Sequence, residues 1–249
     1  MKKPYIGITG FVSQDEAREI LRMPGLDFRK RLIMIGILAS QKTMNGLQNK
    51  WPNRYPTMDK IAGIFPKDQL ALNLIHYNTK EPESLLEQLT RMVEIGGENL
   101  NGFQLNLAWP SPAAIEKFRA KFIGIQIVLQ VGNHAMEIIG HSEAKLARRV
   151  TEYKGLVDYV LLDPSGGYGK EFNPKAARNY LNVLKFQNLD IGLGVAGGLS
   201  PDTLHLIEPL AKDFPGLCVD AEGRLRDDND SLSLRLAKDY VSRALQILR

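Results

Sequence analysis

Eight short apolar runs alternate along this chain with stretches of helical period, and most of the runs are continuously apolar, as strands covered on both faces are. Eight strand–helix units in 249 residues predict an α/β fold of the (β/α)8, or TIM, barrel class in a single domain. A doubly wound parallel sheet is the other arrangement that right-handed crossovers allow. Composition agrees, since 44% hydrophobic and 24% charged residues suit one large core.

The expected strands are Tyr5–Phe11, Leu32–Ala39, Leu70–Tyr77, Gly102–Leu107, Ile125–Val131, Val157–Leu162, Ile191–Val195 and Leu217–Ala221. Amphipathic helices are expected over Pro82–Gly96, Pro112–Phe122, Glu143–Tyr153, Pro174–Leu184, Pro201–Asp213 and Leu232–Leu248. Ser111-Pro112, Asn173-Pro174 and Ser200-Pro201 each put a capping side chain before a proline in the first turn. Between the second and third strands, Ser40 to Phe65 is longer than a connection needs, a length typical of lids or partner contacts. Within it, Trp51 either stacks on a ligand ring or anchors the loop.

The formal charge is +4 with a pI near 9.0, but 32 basic and 28 acidic residues are interspersed. No basic stripe forms, so a nucleic-acid partner is not expected, and the mild excess favours anions such as phosphorylated small molecules. Arg29-Lys30-Arg31 reads as a solvated connection. Cys218 is the single cysteine, and the start MKKPYIGITGF lacks the apolar core of a leader, which points to the cytoplasm. No run reaches the roughly 20 apolar residues that span a bilayer. His76, His134, His141 and His205 show no metal-type spacing, so a metal is not expected.

Barrel active sites lie at the carboxyl ends of the strands. Two glycine-rich turns fall there: Asp163-Pro-Ser-Gly-Gly-Tyr-Gly169 after the sixth strand and Ala196-Gly-Gly-Leu-Ser-Pro-Asp202 after the seventh. Backbone N–H groups of such a turn can hold a phosphate, which makes Gly197 and Gly198 candidate ligands, with Gly223 after the eighth strand. The plainer reading is that these glycines permit tight turns.

The run Tyr5-Ile-Gly-Ile-Thr9, Phe103-Gln-Leu-Asn106, LLDPSGGYGKEF at 161–172, AGGLSPDT at 196–203 and Val219-Asp220 together resemble phosphoribosylanthranilate isomerase, in the same order and across nearly the whole chain. The resemblance implies a cofactor-free rearrangement of a phosphoribosyl-amine from aminoaldose to aminoketose in tryptophan biosynthesis. One group protonates the ribose ring oxygen and another removes the C2 proton.

Asp163 matches the family's acid, while from spacing alone it reads equally well as a turn residue before Pro164. The family's catalytic cysteine precedes the Gly-Ile-Thr run, where this chain has Ile6, which can move no proton. Cys218, Asp220 and Glu222 share one face of the eighth strand. Glu222 is the first candidate for a replacement base and Asp220 the second, whereas Cys218 reads as a small buried hydrophobe. Glu222 also stands where the family has a phosphate-contacting serine, and its charge would repel phosphate there.

On the substrate side, the resemblance assigns Arg54 to a substrate carboxylate, a surface charge being the alternative. Gln104, Asn106, Gly166 and Gly167 complete the candidate substrate contacts. A barrel that kept its ligand turns and lost the chemistry is the second function class.

Overall fold

The computed structural model describes residues 2–163 and 172–248. In it, β1 (Tyr5–Thr9), β2 (Leu32–Ser40), β3 (Ala71–Asn78), β4 (Gly102–Leu105), β5 (Gln126–Gly132), β6 (Tyr159–Asp163), β7 (Gly192–Val195) and β8 (Cys218–Ala221) hydrogen-bond in parallel, in sequence order, and close on themselves. The chain is a (β/α)8 barrel. Each expected run contains a strand, and β1 stops short of Phe11 because Gly10, at φ +102°, turns the chain outward.

The helices are α1 (Gln14–Leu21), α2 (Gln41–Met44), α3 (Ile61–Ile64), α4 (Leu85–Gly96), α5 (Pro112–Lys121), α6 (Asn133–Ile138), α7 (Glu143–Thr151), α8 (Pro174–Phe186), α9 (Glu208–Asp213) and α10 (Leu234–Ile247). Ser111 and Asn173 cap α5 and α8 through their side-chain oxygens, as the Ser-Pro and Asn-Pro pairs predict. The expected helix over Pro201–Asp213 is broken into a 3-10 turn, Leu204–Ile207, and α9. Pro209 has no N–H to give the carbonyl of His205, so one continuous helix is not available. Helix α1 is absent from the expected set, although Ser13 and Glu16 form a reciprocal capping box at its start.

Two apolar regions result from strand alternation. Ile6, Ile8, Ile33, Ile35, Phe103, Ile127, Val160 and Val219 face the helices in the larger core. Inside the barrel, Tyr5, Met34, Leu72, Leu74, Val128, Tyr159, Leu161 and Cys218 form a separate apolar plug in which the Tyr5 and Tyr159 rings meet edge to face at 5.3 Å. Cys218 belongs to this plug; its Sγ accepts the Tyr5 N–H at 3.4 Å, and burial pushes the thiol up to about 12.

The barrel closes where β8 meets β1, in the register Ile6↔Val219, Gly7↔Asp220 and Ile8↔Ala221. Arginines stitch this seam at both ends. At the amino end, Arg31 donates to the carbonyls of Leu217 (2.6 Å) and Leu248 (3.4 Å). At the carboxyl end, Arg226 donates to the carbonyls of Thr9 (2.9 Å) and Gly10 (3.2 Å). Arg31 is therefore buried, which corrects the reading of Arg29-Lys30-Arg31 as wholly solvated; Arg29 and Lys30 are exposed. Among the described residues, no helix is long and apolar enough to cross a membrane.

Replacing Arg31 with Met keeps the apolar stem and leaves the Leu217 and Leu248 carbonyls without their donor. We expect a loss of about 1–3 kcal/mol, read from urea unfolding, with far-UV circular dichroism of the folded state unchanged.

Candidate active site at the carboxyl end of the barrel

Above the apolar plug the inward positions turn polar. Thr9, His76, Gln104, Gln130, Asp163 and Asp220 occupy the upper layer of β1, β3, β4, β5, β6 and β8. They form a continuous hydrogen-bonded chain. Gln130 Nε2 donates to Asp163 Oδ2 (2.9 Å), and Gln104 Nε2 lies 3.1 Å from Gln130 Oε1 and 3.0 Å from Asp220 Oδ2. Thr9 Oγ1 donates to the Asp220 carboxyl (3.1 Å to Oδ1), and His76 Nδ1 lies 3.2 Å from Gln104 Nε2.

Above this layer opens a cavity of about 880 Å³, lined in part by His76, Asn106, Gln130, Asp163, Gly197, Gly198, Asp220, Glu222, Gly223 and Arg54. The fold thus gathers eight of the predicted site residues around one cavity: Asp163, Asp220, Glu222, Gly197, Gly198, Gly223, Arg54 and Asn106. Gln104 lies beneath the floor and reaches the cavity only through its hydrogen bonds. Gly166 and Gly167 lie outside the described residues.

Burial pushes the Asp220 carboxyl up to about 7, with the Glu222 and Asp163 charges adding to the effect and hydrogen bonds from Gln104 and Thr9 opposing it. Burial likewise holds the His76 imidazole below its ordinary value, against the pull of Glu222 and Asp163. With a value of about 7, Asp220 is protonated in about half of the molecules at neutral pH, and the lowered His76 favours its uncharged form.

Gly197 and Gly198 have φ of +94° and +69°, in the left-handed region that other residues rarely adopt. Among the described residues, their N–H groups and that of Leu199 have no hydrogen-bond partner, while Thr203 Oγ1 braces the turn by donating to the Gly198 carbonyl and accepting from the Ser200 N–H, both at 2.8 Å. Such N–H groups at a cavity wall suit an anion.

Two expectations change. Ile6 does not face the cavity, because it pairs with Ile33 and Val219 and packs fully buried against the helix layer. Any side chain at position 6 would be out of reach of the site, and the inward residues of β1 are Tyr5, Gly7 and Thr9. Arg54 and Glu222 are engaged with each other at 3.0 Å, and Arg54 also holds Asp230 at 2.6 Å. Neither is an isolated group waiting for substrate. The long β2–β3 connection thereby crosses to the β8 side of the mouth, with Arg54 4.7 Å from the centre of the half-exposed Trp51 ring.

Strand alternation from the sequence already points His76 and Gln130 towards a polar pocket, and the closed barrel adds Thr9 to them. Asp230, which holds Arg54, has no such signal in the sequence. Among the described residues, no group of three or more His, Cys, Asp or Glu side chains gathers to hold a metal.

No family model matches the chain, and no curated protein matches it either. Solved structures do. Phosphoribosyl anthranilate isomerase from Thermus thermophilus is 15% identical with a TM-score of 0.66, covering 98% of this chain and 100% of that one. The Thermotoga maritima enzyme of the same name is 18% identical at TM-score 0.61, with 98% of each chain covered. Tryptophan synthase subunit alpha from Legionella pneumophila is 13% identical at TM-score 0.60, covering 99% and 93%. At these identities the shared property is the barrel fold.

Because an unfolded aspartate ionises near 3.8 and folded Asp220 near 7, its contribution to stability is complete below the lower value and is lost as pH rises through the higher. Asp220→Asn removes that loss, so its melting temperature should exceed the parent's most at about pH 8 and the gap should shrink towards about pH 4; scanning calorimetry reads both. Separately, Arg54→Gln should speed amide exchange across residues 45–60 while leaving the strands protected, as seen by hydrogen–deuterium exchange.

Proposed function

We propose that this barrel binds a phosphorylated ribose derivative and isomerises it by acid–base chemistry of the aminoaldose-to-aminoketose type, as a phosphoribosylanthranilate isomerase-like enzyme with a role in tryptophan biosynthesis. The observation that carries the reading is the pair of carboxyls in one cavity, Asp163 at the strand end and Asp220 on the floor, joined through Gln130 and Gln104. Their environments differ, which is what an acid–base pair needs. Asp220, whose carboxyl is raised to about 7, fits the donor and Asp163 the acceptor, whereas the resemblance implies the acid role for Asp163. Glu222, held by Arg54, fits orientation better than proton transfer. The N–H groups of Gly197 and Gly198, unpartnered among the described residues, suit the phosphate, and the likeness in fold to the two isomerases supports the substrate class.

A second reading, a sugar-phosphate-binding barrel without turnover, has its own observation: β1 presents only Tyr5, Gly7 and Thr9 inward, and the Thr9 hydroxyl is bound to Asp220. The two readings separate in one assay. Purified protein given phosphoribosylanthranilate should form the aminoketose, followed by NMR. Asp163→Asn and Asp220→Asn should each lower kcat by about 10²-fold or more, with Asp163→Asn leaving the melting temperature nearly unchanged. No product from the parent protein, together with a thermal shift by ribose 5-phosphate, selects the binding reading; no shift by any phosphorylated ribose removes both.

A further inference from the structure

His76 ends one branch of the polar layer, joined to it through Gln104, and the directions of the hydrogen bonds leading to it follow from donor and acceptor chemistry. Asp163 Oδ2 accepts from Gln130 Nε2, so Gln130 turns its Oε1 towards Gln104. Gln104 must then present its NH2, 3.1 Å away. The same NH2 group lies 3.2 Å from His76 Nδ1, which has to accept, so the proton of a neutral imidazole resides on Nε2. Gln104 is fully buried, and its orientation has little freedom. Its Oε1 has no partner, so no competing contact pulls the amide the other way.

The far edge of the ring is the accessible one. His76 is 6% exposed and lines the cavity; its Nε2 has no hydrogen-bond partner among the described residues, yet it is not among the buried unpartnered atoms. Gln104 links it directly to Asp220, so the imidazole stands beside the carboxyls. Gln104 has two N–H protons for three acceptors, Gln130 Oε1, Asp220 Oδ2 and His76 Nδ1, so one of its N–H bonds is bifurcated.

We infer that His76 is a neutral Nε2–H donor to an oxygen of the ligand in this cavity, and that Gln104 is the positioning residue that fixes its tautomer. The inference rests on the reading of the cavity as a sugar-phosphate site, and it assigns the face of the sugar opposite the phosphate turn to a hydrogen-bond donor rather than to a charge. An uncharged imidazole can polarise a carbonyl or hold a hydroxyl without repelling Arg54 or attracting water as an imidazolium would.

Nitrogen-15 NMR of histidine-labelled protein at neutral pH tests it. One imidazole of the four should be locked as Nε2–H, identified as His76 by its loss in His76→Gln. Gln104→Met should return that signal to a tautomer mixture, and should do so even if turnover is never detected. Ribose 5-phosphate added to the intact protein should shift the His76 Nε2–H resonance. An Nδ1–H tautomer or an imidazolium in the parent overturns the positioning role of Gln104. An imidazole unmoved by ribose 5-phosphate overturns the donor role; if the Gly197 and Gly198 amides also stay still, the phosphate cradle falls with it. Should Gln104→Met fail to fold, the tautomer of the parent decides the first point and the titration the second.

Discussion

Successive side chains on a strand of a closed barrel point alternately to the helices and to the axis, and this alternation sets the phase of every functional group here. On β8 it sends Cys218 into the apolar plug and Asp220 into the polar layer, and Glu222, just past the strand, stands at the rim. On β1 it sends Gly7 and Thr9 inward and Ile6 outward. The glycine at position 7 leaves room for its neighbours, since a Cβ there would come within 2.7 Å of Met34 and 2.9 Å of Asp220. A small residue on one strand thus sets the space in which the buried carboxyl of another can sit.

The polar layer is costly to bury, and its members offset that cost for one another. Isolated, a carboxyl at the position of Asp220 would lose its hydration without return; here it meets the Thr9 hydroxyl and the Gln104 amide, and its remaining penalty appears as a raised affinity for a proton. The two glutamines transmit direction as well as contact. Because an amide has a donor end and an acceptor end, the orientation chosen at Asp163 propagates through Gln130 to Gln104 and on to His76.

Much of the fold was legible in the sequence because strands buried on both sides leave continuous apolar runs such as Leu32–Ala39 and Ile125–Val131. The Pro201–Asp213 helix was misread because its apolar period continues through Pro209, and α1 was missed although its capping box was present. The carboxyl-end position of Asp163 and of the Gly197–Gly198 turn follows from barrel architecture. The letters of Gly7-Ile8-Thr9 match a motif without carrying its phase, so Ile6 was placed at the site until the register with Val219 showed otherwise. For Arg54 the sequence leaves a carboxylate contact and a surface charge open, because its partner Asp230 lies 176 residues away and no local pattern connects them.

The arginine-stitched seam bears on how the barrel assembles. Strands β1 through β7 pair with sequence neighbours and can associate as the chain grows, whereas β8 must return across the full length of the chain to β1, the slowest kind of contact to form. Arg31 and Arg226 place their guanidinium groups against carbonyls from both chain ends only once that return is complete. Burial lowers the proton affinity of both, so each forgoes full hydration to reach its place. Closure is thereby made cooperative: a nascent chain lacking its last strand has neither seam nor stitches, and the polar layer that depends on Asp220 comes into being in the same final step.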